Sequence, residues 1–260
     1  MNKILTGRAE IVLKDFPDNC IDLVVTSPPY DGIRSYEGYI FDFPLIAEQL
    51  FRTLKVGGVI VWIVSDETTD GSESCTSFKQ ALHFRSLGLK LHDTMIWRKS
   101  SPPLSHNRYE QHFEYMFVFS KEYVKTFNAI KEPKLYMDNR KVKDYRRNVK
   151  EGCDNGFIGQ QKDKIKGNIW DIPVGGGITT PDKEAYEHPA IFPDKLAKDH
   201  IYSWSNEGDV VLDPMCGSGT VPKMAKLLHR NYIGIDISKK YCELAIKRIN
   251  KHKIPNELFR

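Results

Sequence analysis

Apolar positions in this chain fall into short runs that alternate with stretches of helical period. Ile21-Asp22-Leu23-Val24-Val25 is a compact apolar run that closes on a Pro-Pro turn, as a buried parallel strand does. Beyond Pro44, Ile46, Leu50 and Leu54 recur at helical spacing, and Gly57-Gly58 predict the stop. Val59 to Val64 reads as the next buried strand. A helix carrying Phe78, Ala81 and Leu82 follows and closes at Gly88, and Leu91 to Trp97 and Phe113 to Phe119 are strand-like runs around a polar loop. From Lys121 to Glu187 the periodicity gives way to Gly, Asn, Pro and charge. Regular patterning then resumes. Pro193 opens a helix, Asp209 to Asp213 is a strand, Gly219 to His229 a helix and Tyr232 to Asp236 a strand. Ser238 is placed to cap a last helix carrying Cys242, Ala245, Ile246 and Ile249. The alternation predicts an α/β protein with a doubly wound, mostly parallel sheet. Residues 1–120 and 188–260 are two parts of one domain, and 121–187 is an insert.

Charge sharpens the insert. Lys121 to Asn168 holds 13 Lys/Arg against 7 Asp/Glu, a net of +6 in a chain of 260 residues whose total is +4. Such a stretch is either a polyanion-facing surface or merely a solvated one. The five cysteines (Cys20, Cys75, Cys153, Cys216, Cys242) include no Cys-x-x-Cys pair, which argues against a disulfide framework and a structural zinc site. No metal is expected. No apolar run approaches the roughly 20 residues of a membrane span, and Met1 to Arg8 has no export h-region, so a cytoplasmic protein is expected.

Asp213-Pro214-Met215-Cys216-Gly217-Ser218-Gly219-Thr220 stands between a predicted strand and a predicted helix. Glycines there let the backbone turn tightly and approach a ligand, and the helix start offers N–H groups. Asp236 ends the next strand, where an acid accepts from ribose hydroxyls. An acid at both strand ends points to a nucleoside site; a phosphate loop is excluded because no Gly-Lys-Ser/Thr follows.

This segment resembles the S-adenosylmethionine motif of the DNA amino-methyltransferases. In that family the first acid, here Asp213, lies near the methionine ammonium, and the turn Pro214, Cys216, Gly217, Ser218, Gly219, Thr220 passes beside the cofactor. Gly234-Ile235-Asp236-Ile237-Ser238 is similar to the next family motif, whose acid holds the ribose, and His188-Pro189-Ala190-Ile191-Phe192-Pro193 to the motif around the methionine end, which brings in Pro189 and Phe192. Thr26-Ser27-Pro28-Pro29-Tyr30 resembles the family's catalytic motif. An exocyclic amino group is a poor nucleophile because its lone pair is delocalised into the ring. Acceptors at the Ser27 hydroxyl and Pro28 carbonyl would favour its pyramidal form, Pro28 and Pro29 would rigidify the turn, and Tyr30 would stack on a base taken out of the duplex.

The resemblance extends to Leu54-Lys55-Val56-Gly57-Gly58 and to Trp97-Arg98-Lys99 through His112-Phe113-Glu114-Tyr115. Its motif order is that of the beta group, a circularly permuted Rossmann-like methyltransferase fold. The order implies a catalytic part at 1–120, a target-recognition insert at 121–187 and a cofactor-binding part at 188–260. Within the insert, Arg140, Lys141, Lys143, Arg146 and Arg147 are the candidate DNA contacts, interleaved with Tyr136 and Tyr145. Within that family, serine rather than aspartate before Pro-Pro-Tyr implies cytosine N4 over adenine N6, although both amino groups pose the same chemical problem. One position departs from the pattern: beta-group members carry Gly-Asp where Gly7-Arg8 stands, and Arg8 cannot accept from the cofactor's adenine amino group.

The resemblance implies an S-adenosyl-L-methionine-dependent methyltransferase acting on double-stranded DNA in the cytoplasm of a prokaryote or in a phage-infected cell, associated with the nucleoid. It leaves open adenine N6 as the target, a monomer or homodimer, and a cognate restriction endonuclease that shares the DNA without direct contact. A DNA-binding protein without turnover would retain the fold, yet has no need of two acceptors aimed at an amino group. Methylation at cytosine carbon 5 would need a nucleophilic cysteine, in the family that carries it out within a Pro-Cys dipeptide, and none of the five cysteines here follows a proline. A protein amide methylase would carry Asn-Pro-Pro-Tyr after the cofactor motif, the reverse of the order here.

Overall fold

The structure is a computed structural model that describes residues 2–29, 41–100, 108–134 and 163–253. β1 (Lys3–Thr6) leads through the short helix α1 (Ala9–Val12) to β2 (Ile21–Thr26). Then come α2 (Phe43–Thr53), β3 (Leu54–Val64), the small pair β4 (Thr68–Thr69) and β5 (Ser72–Glu73), α3 (Thr76–Ser86), β6 (Leu89–Arg98) and β7 (Phe113–Lys121). β8 (Lys131–Pro133) and β9 (Asp163–Ile165) pair antiparallel in a sheet of their own. β10 (Ile169–Asp171), α4 (Asp194–Trp204), β11 (Val210–Asp213), α5 (Thr220–Leu227), β12 (Asn231–Asp236) and α6 (Lys239–Lys251) complete the chain. Two units result: Met1–Asn128 with Asn168–Arg260, and Ala129–Gly167.

The larger unit is built on an eight-stranded sheet in the order β1-β12-β11-β2-β3-β7-β6-β10. Only β7 runs against its neighbours; the other adjacent pairs are parallel. Because strand side chains alternate, β3 buries Ile60, Trp62 and Val64 on one face and Val59, Val61 and Ile63 on the other. The first face packs against Ile46 and Leu50 of α2 and Phe84 of α3. Trp62 and Phe84 meet edge to face at 5.1 Å, Phe43 closes on Phe84 at 5.2 Å, and the Trp62 indole N–H donates to Gln80 Oε1 at 2.8 Å. On the other face Met116 of β7 reaches His200 of α4 at 3.1 Å. Helices on both faces explain why the central strands are apolar throughout.

Three details differ from the pattern reading. Leu54 does not extend α2: it is extended, pairs with Ile21 and opens β3, while Lys121 Nζ donates to the Phe51 and Leu54 carbonyls where helix turns to strand. Gly57-Gly58 therefore lie inside a strand. The buried face of α3 runs Ser77, Gln80, Ala81 and Phe84, leaving Phe78 and Leu82 outward. The second unit, 129–167, is narrower than the irregular segment 121–187, because Ile169–Asp171 pairs parallel with β6 in the main sheet and buries Trp170 there. Among the described residues no helix is long and apolar enough to cross a membrane.

Phe84→Ala removes a fully buried ring that touches three others, and is expected to cost about 3–5 kcal/mol in urea unfolding. Leu82→Ala, on the outward face, should leave the midpoint close to wild type.

Candidate functional site

β2 and β11 lie side by side, yet from β2 the chain proceeds to β3 on one side and from β11 to β12 on the other. At such a switch point the loops after the strands diverge and leave a cleft at their carboxyl ends. The last residue of β2, Thr26, donates its hydroxyl to Asp213 Oδ1 at the end of β11, at 2.8 Å and wholly buried. Met215 N–H reaches the same oxygen at 3.1 Å. Ser27, Pro28 and Pro29 thus leave the sheet beside the glycine turn, and both line one cavity of about 210 Å³.

The turn is held by its own backbone. Cys216 N–H donates to the Ile235 carbonyl at 2.8 Å, and Gly219 N–H to the Cys216 carbonyl at 2.7 Å. Gly217 has a φ of +46°, and a Cβ there would stand 2.7 Å from His188 Nε2; Gly219 has a φ of +79°, and its Cβ would stand 2.6 Å from that of Ala245. Glycine is required at both. Asp236 ties this turn to the next strand: Oδ2 accepts from Gly217 N–H at 2.8 Å and Oδ1 from Ser238 N–H at 2.9 Å. Ser238 stands at the start of α6 with no side-chain cap, its N–H being held by that acid.

The segment 188–192 supplies another wall of the cavity, with His188 packed against Gly217. His188 accepts the Ala190 N–H at Nδ1 and lies edge-on to Tyr241. A buried ion cluster fixes this segment to the turn. Arg248, fully buried in α6, donates through Nη1 to the Ser218 carbonyl at 2.5 Å and hydroxyl at 2.8 Å, and through Nη2 to Asp182 at 3.1 Å. Lys223 of α5 donates to the same Asp182 oxygen at 2.8 Å and to Asp194 at 2.5 Å, and His252 pairs with the other Asp182 oxygen at 2.8 Å. Burial alone would raise the Asp182 pKa, but Lys223, His252 and Arg248 hold it well below the ordinary carboxylate range.

The cavity itself has the opposite electrostatics. Burial lifts the Asp213 carboxyl to about 7, against the hydrogen bonds from Thr26 and Met215, with the Asp236 charge adding to the rise. Burial also raises Asp236 and, with both acids nearby, the Cys216 thiol. Among the described residues no Lys or Arg pairs with Asp213. A buried acid with a raised pKa and, among the described residues, no Lys or Arg paired with it suits a ligand that brings a cation to that point.

Of the residues singled out from the sequence, Ser27, Pro28, Pro29, Phe192, Pro214, Cys216, Ser218, Thr220 and Asp236 line the cavity. Asp213, Gly217, Gly219 and Pro189 are not among its wall residues; the first three belong to the strand end and turn that carry Pro214, Cys216, Ser218 and Thr220. Tyr30, Arg140, Lys141, Lys143, Arg146 and Arg147 lie outside the described residues. Gly7, Arg8, Trp97, Glu114 and His188, which the sequence placed in segments of family resemblance, line the cavity as well, Ala9 is added by the structure, and Glu114 pairs with Lys99 at 2.8 Å. Arg248 carried a signal in the sequence: it shares the apolar face of α6 with Ala245 and Ile249, where a charge needs a buried partner.

The family model described as DNA methylase matches residues 21–247 of this chain. The orphan methyltransferase M.BamHII of Bacillus amyloliquefaciens is 49% identical over 246 residues, which cover 91% of each chain. The DNA adenine methyltransferase YhdJ of Escherichia coli (strain K12) is 28% identical over 261 residues, covering 95% of this chain and 82% of YhdJ. The solved PvuII DNA methyltransferase (cytosine-N4-specific) is alike in fold, with a TM-score of 0.70 at 20% identity over 95% of this chain and 85% of that one.

Breaking the buried cluster from one side leaves uncompensated charge. Asp182→Asn is expected to destabilise the protein by about 3 kcal/mol in urea unfolding at pH 7. Because the Asp182 pKa is depressed, its contribution is fully present above the ordinary carboxylate pKa and is lost only as the pH falls through the depressed value, so the gap between the two stability curves should stay constant down to about pH 4 and begin to narrow below it. Glu184→Gln, which loses only the outer pair with Lys251, should track wild type.

Proposed function

The chain belongs to the DNA methylase family that modifies adenine N6 or cytosine N4, and from that premise we propose that it methylates the N4 amino group of a flipped cytosine in double-stranded DNA, with S-adenosyl-L-methionine as donor. The observation that carries this reading is the Thr26–Asp213 hydrogen bond, which sets the Ser27-Pro28-Pro29 turn and the glycine turn on one cavity. The residues fit the cofactor. Asp213, buried and without an ion pair among the described residues, would take the ammonium of the methionine moiety. Asp236 already accepts one backbone N–H on each oxygen and keeps lone pairs for the ribose hydroxyls. The Gly217 cradle under His188, with Phe192 and Cys216, would pack along the remainder. When bound, the cofactor supplies an electrophilic methyl group.

Ser27 Oγ and the Pro28 carbonyl accept the two amino hydrogens of the base, so its lone pair turns out of the ring plane toward the methyl group. The prolines hold both acceptors in place, so little orientation is lost at the moment of reaction. Tyr30 stacks on the extruded base. Serine in place of aspartate before Pro-Pro favours cytosine. Arg140, Lys141, Lys143, Arg146 and Arg147 contact the DNA as part of a target-recognition region, their charges meeting phosphates and an arginine or two reaching base edges.

Two results test this. The raised Asp213 pKa means that the free protein holds a proton there below pH 7, which a ligand ammonium must displace. Cofactor affinity, titrated calorimetrically, should rise about tenfold per pH unit up to pH 7 and level off above it; a flat profile from pH 5.5 to 8 would count against the assignment. Ser27→Ala should lower the single-turnover methyl-transfer rate by at least about 100-fold and leave cofactor affinity nearly unchanged. Loss of cofactor binding instead would mean that Ser27 belongs to the cofactor site.

A further inference from the structure

We infer that the Arg8 guanidinium, held in plane by Glu10, is this chain's purine-contacting group and donates to a ring nitrogen of the cofactor's base. The inference rests on the cofactor reading above and assigns the part of the cavity that reading leaves open.

Placement comes first. Along the carboxyl edge of the sheet the order is β1, β12, β11, β2. Asp213 ends β11 and Asp236 ends β12, so a nucleoside with its amino-acid arm at Asp213 and its ribose at Asp236 carries its base toward β1. Thr6 of β1 is the register partner of Asp236, and Gly7 N–H donates to the Asp236 carbonyl at 2.9 Å. Arg8 is the next residue but one, and it lines the cavity together with Gly7, Ala9 and Ile237.

The second observation is the pair itself. The Glu10 side chain is 1% exposed, whereas that of Arg8 is 49% exposed. Arg8 Nε and Nη2 both reach Glu10 Oε1, at 2.6 and 2.5 Å. Two contacts on one oxygen fix the guanidinium plane and compensate the buried carboxylate, so the side chain is pre-organised rather than searching solvent. A guanidinium has donors and no acceptor, and a purine presents N1, N3 and N7 as acceptors on its edges.

The test is calorimetric binding of S-adenosylhomocysteine and its 1-deaza, 3-deaza and 7-deaza forms to wild type, Arg8→Ala and Arg8→Lys. Arg8→Lys keeps a charge beside Glu10 and so guards against misfolding while losing the planar fork. Arg8→Ala is expected to weaken S-adenosylhomocysteine binding about tenfold. One deaza analogue should lose the same factor on wild type and nothing further on Arg8→Ala, the signature of a coupled pair. Unchanged affinity in Arg8→Ala, an equal loss with all three analogues, or a loss confined to duplex DNA binding would each overturn the inference. A wild type that binds no S-adenosylhomocysteine would overturn the cofactor reading itself, a result distinct from those three.

Discussion

The hydrogen bond from Thr26 to Asp213 joins residues 187 apart in sequence at the point where the sheet changes direction. It can form only because β11 lies beside β2 in parallel register, with Val211 opposite Leu23 and Leu212 opposite Val24. That pairing sets the two loops that carry chemistry next to one another. It also strips Asp213 of water, which makes its carboxyl receptive to a cation supplied from outside. Geometry and charge at the site thus have one origin.

Around that centre the protein separates two kinds of electrostatics. At the cavity, Asp213 and Asp236 are desolvated and held by the Thr26 hydroxyl and backbone N–H groups, with no ion pair to either among the described residues. Behind it, Arg248 and Lys223 are buried with Asp182 and Asp194 in a cluster where charges of both signs meet. The first arrangement is built to respond to a ligand. The second gives a fixed frame, since moving the segment 180–194 away from the glycine turn would expose buried charge to an apolar surround. The wall carrying His188 and Phe192 is therefore held in place by that cluster; among the described residues there is no group of three or more His, Cys, Asp or Glu that could hold a metal ion.

Much of this was legible in the sequence because it depends on local rules. Buried parallel strands read as apolar runs, and the turns at Ser27-Pro28-Pro29 and at Cys216-Gly217-Ser218-Gly219 lie where strand pattern gives way. Gly217 and Gly219 were recognisable as turn residues, although their reason, contact with His188 and Ala245, belongs to three dimensions. Leu54 was misread as helical because its spacing suits a helix; the decision rests on pairing with Ile21 and on Lys121 taking the local carbonyls. β1 leaves little mark in the sequence, since four half-exposed residues at a sheet edge have little apolar pattern. Arg8, Trp97 and Glu114 come from separate strand ends, and nothing local places them on a common cavity.

Methyl transfer to a DNA amino group is tested most directly by identifying the product. Purified protein would be incubated with unmodified duplex DNA and methyl-labelled S-adenosyl-L-methionine, the DNA digested to nucleosides, and the labelled nucleoside identified by mass and retention. Labelled N4-methylcytosine is the predicted result. Labelled N6-methyladenine would contradict the choice of cytosine, and 5-methylcytosine or unlabelled DNA would contradict amino-group transfer altogether.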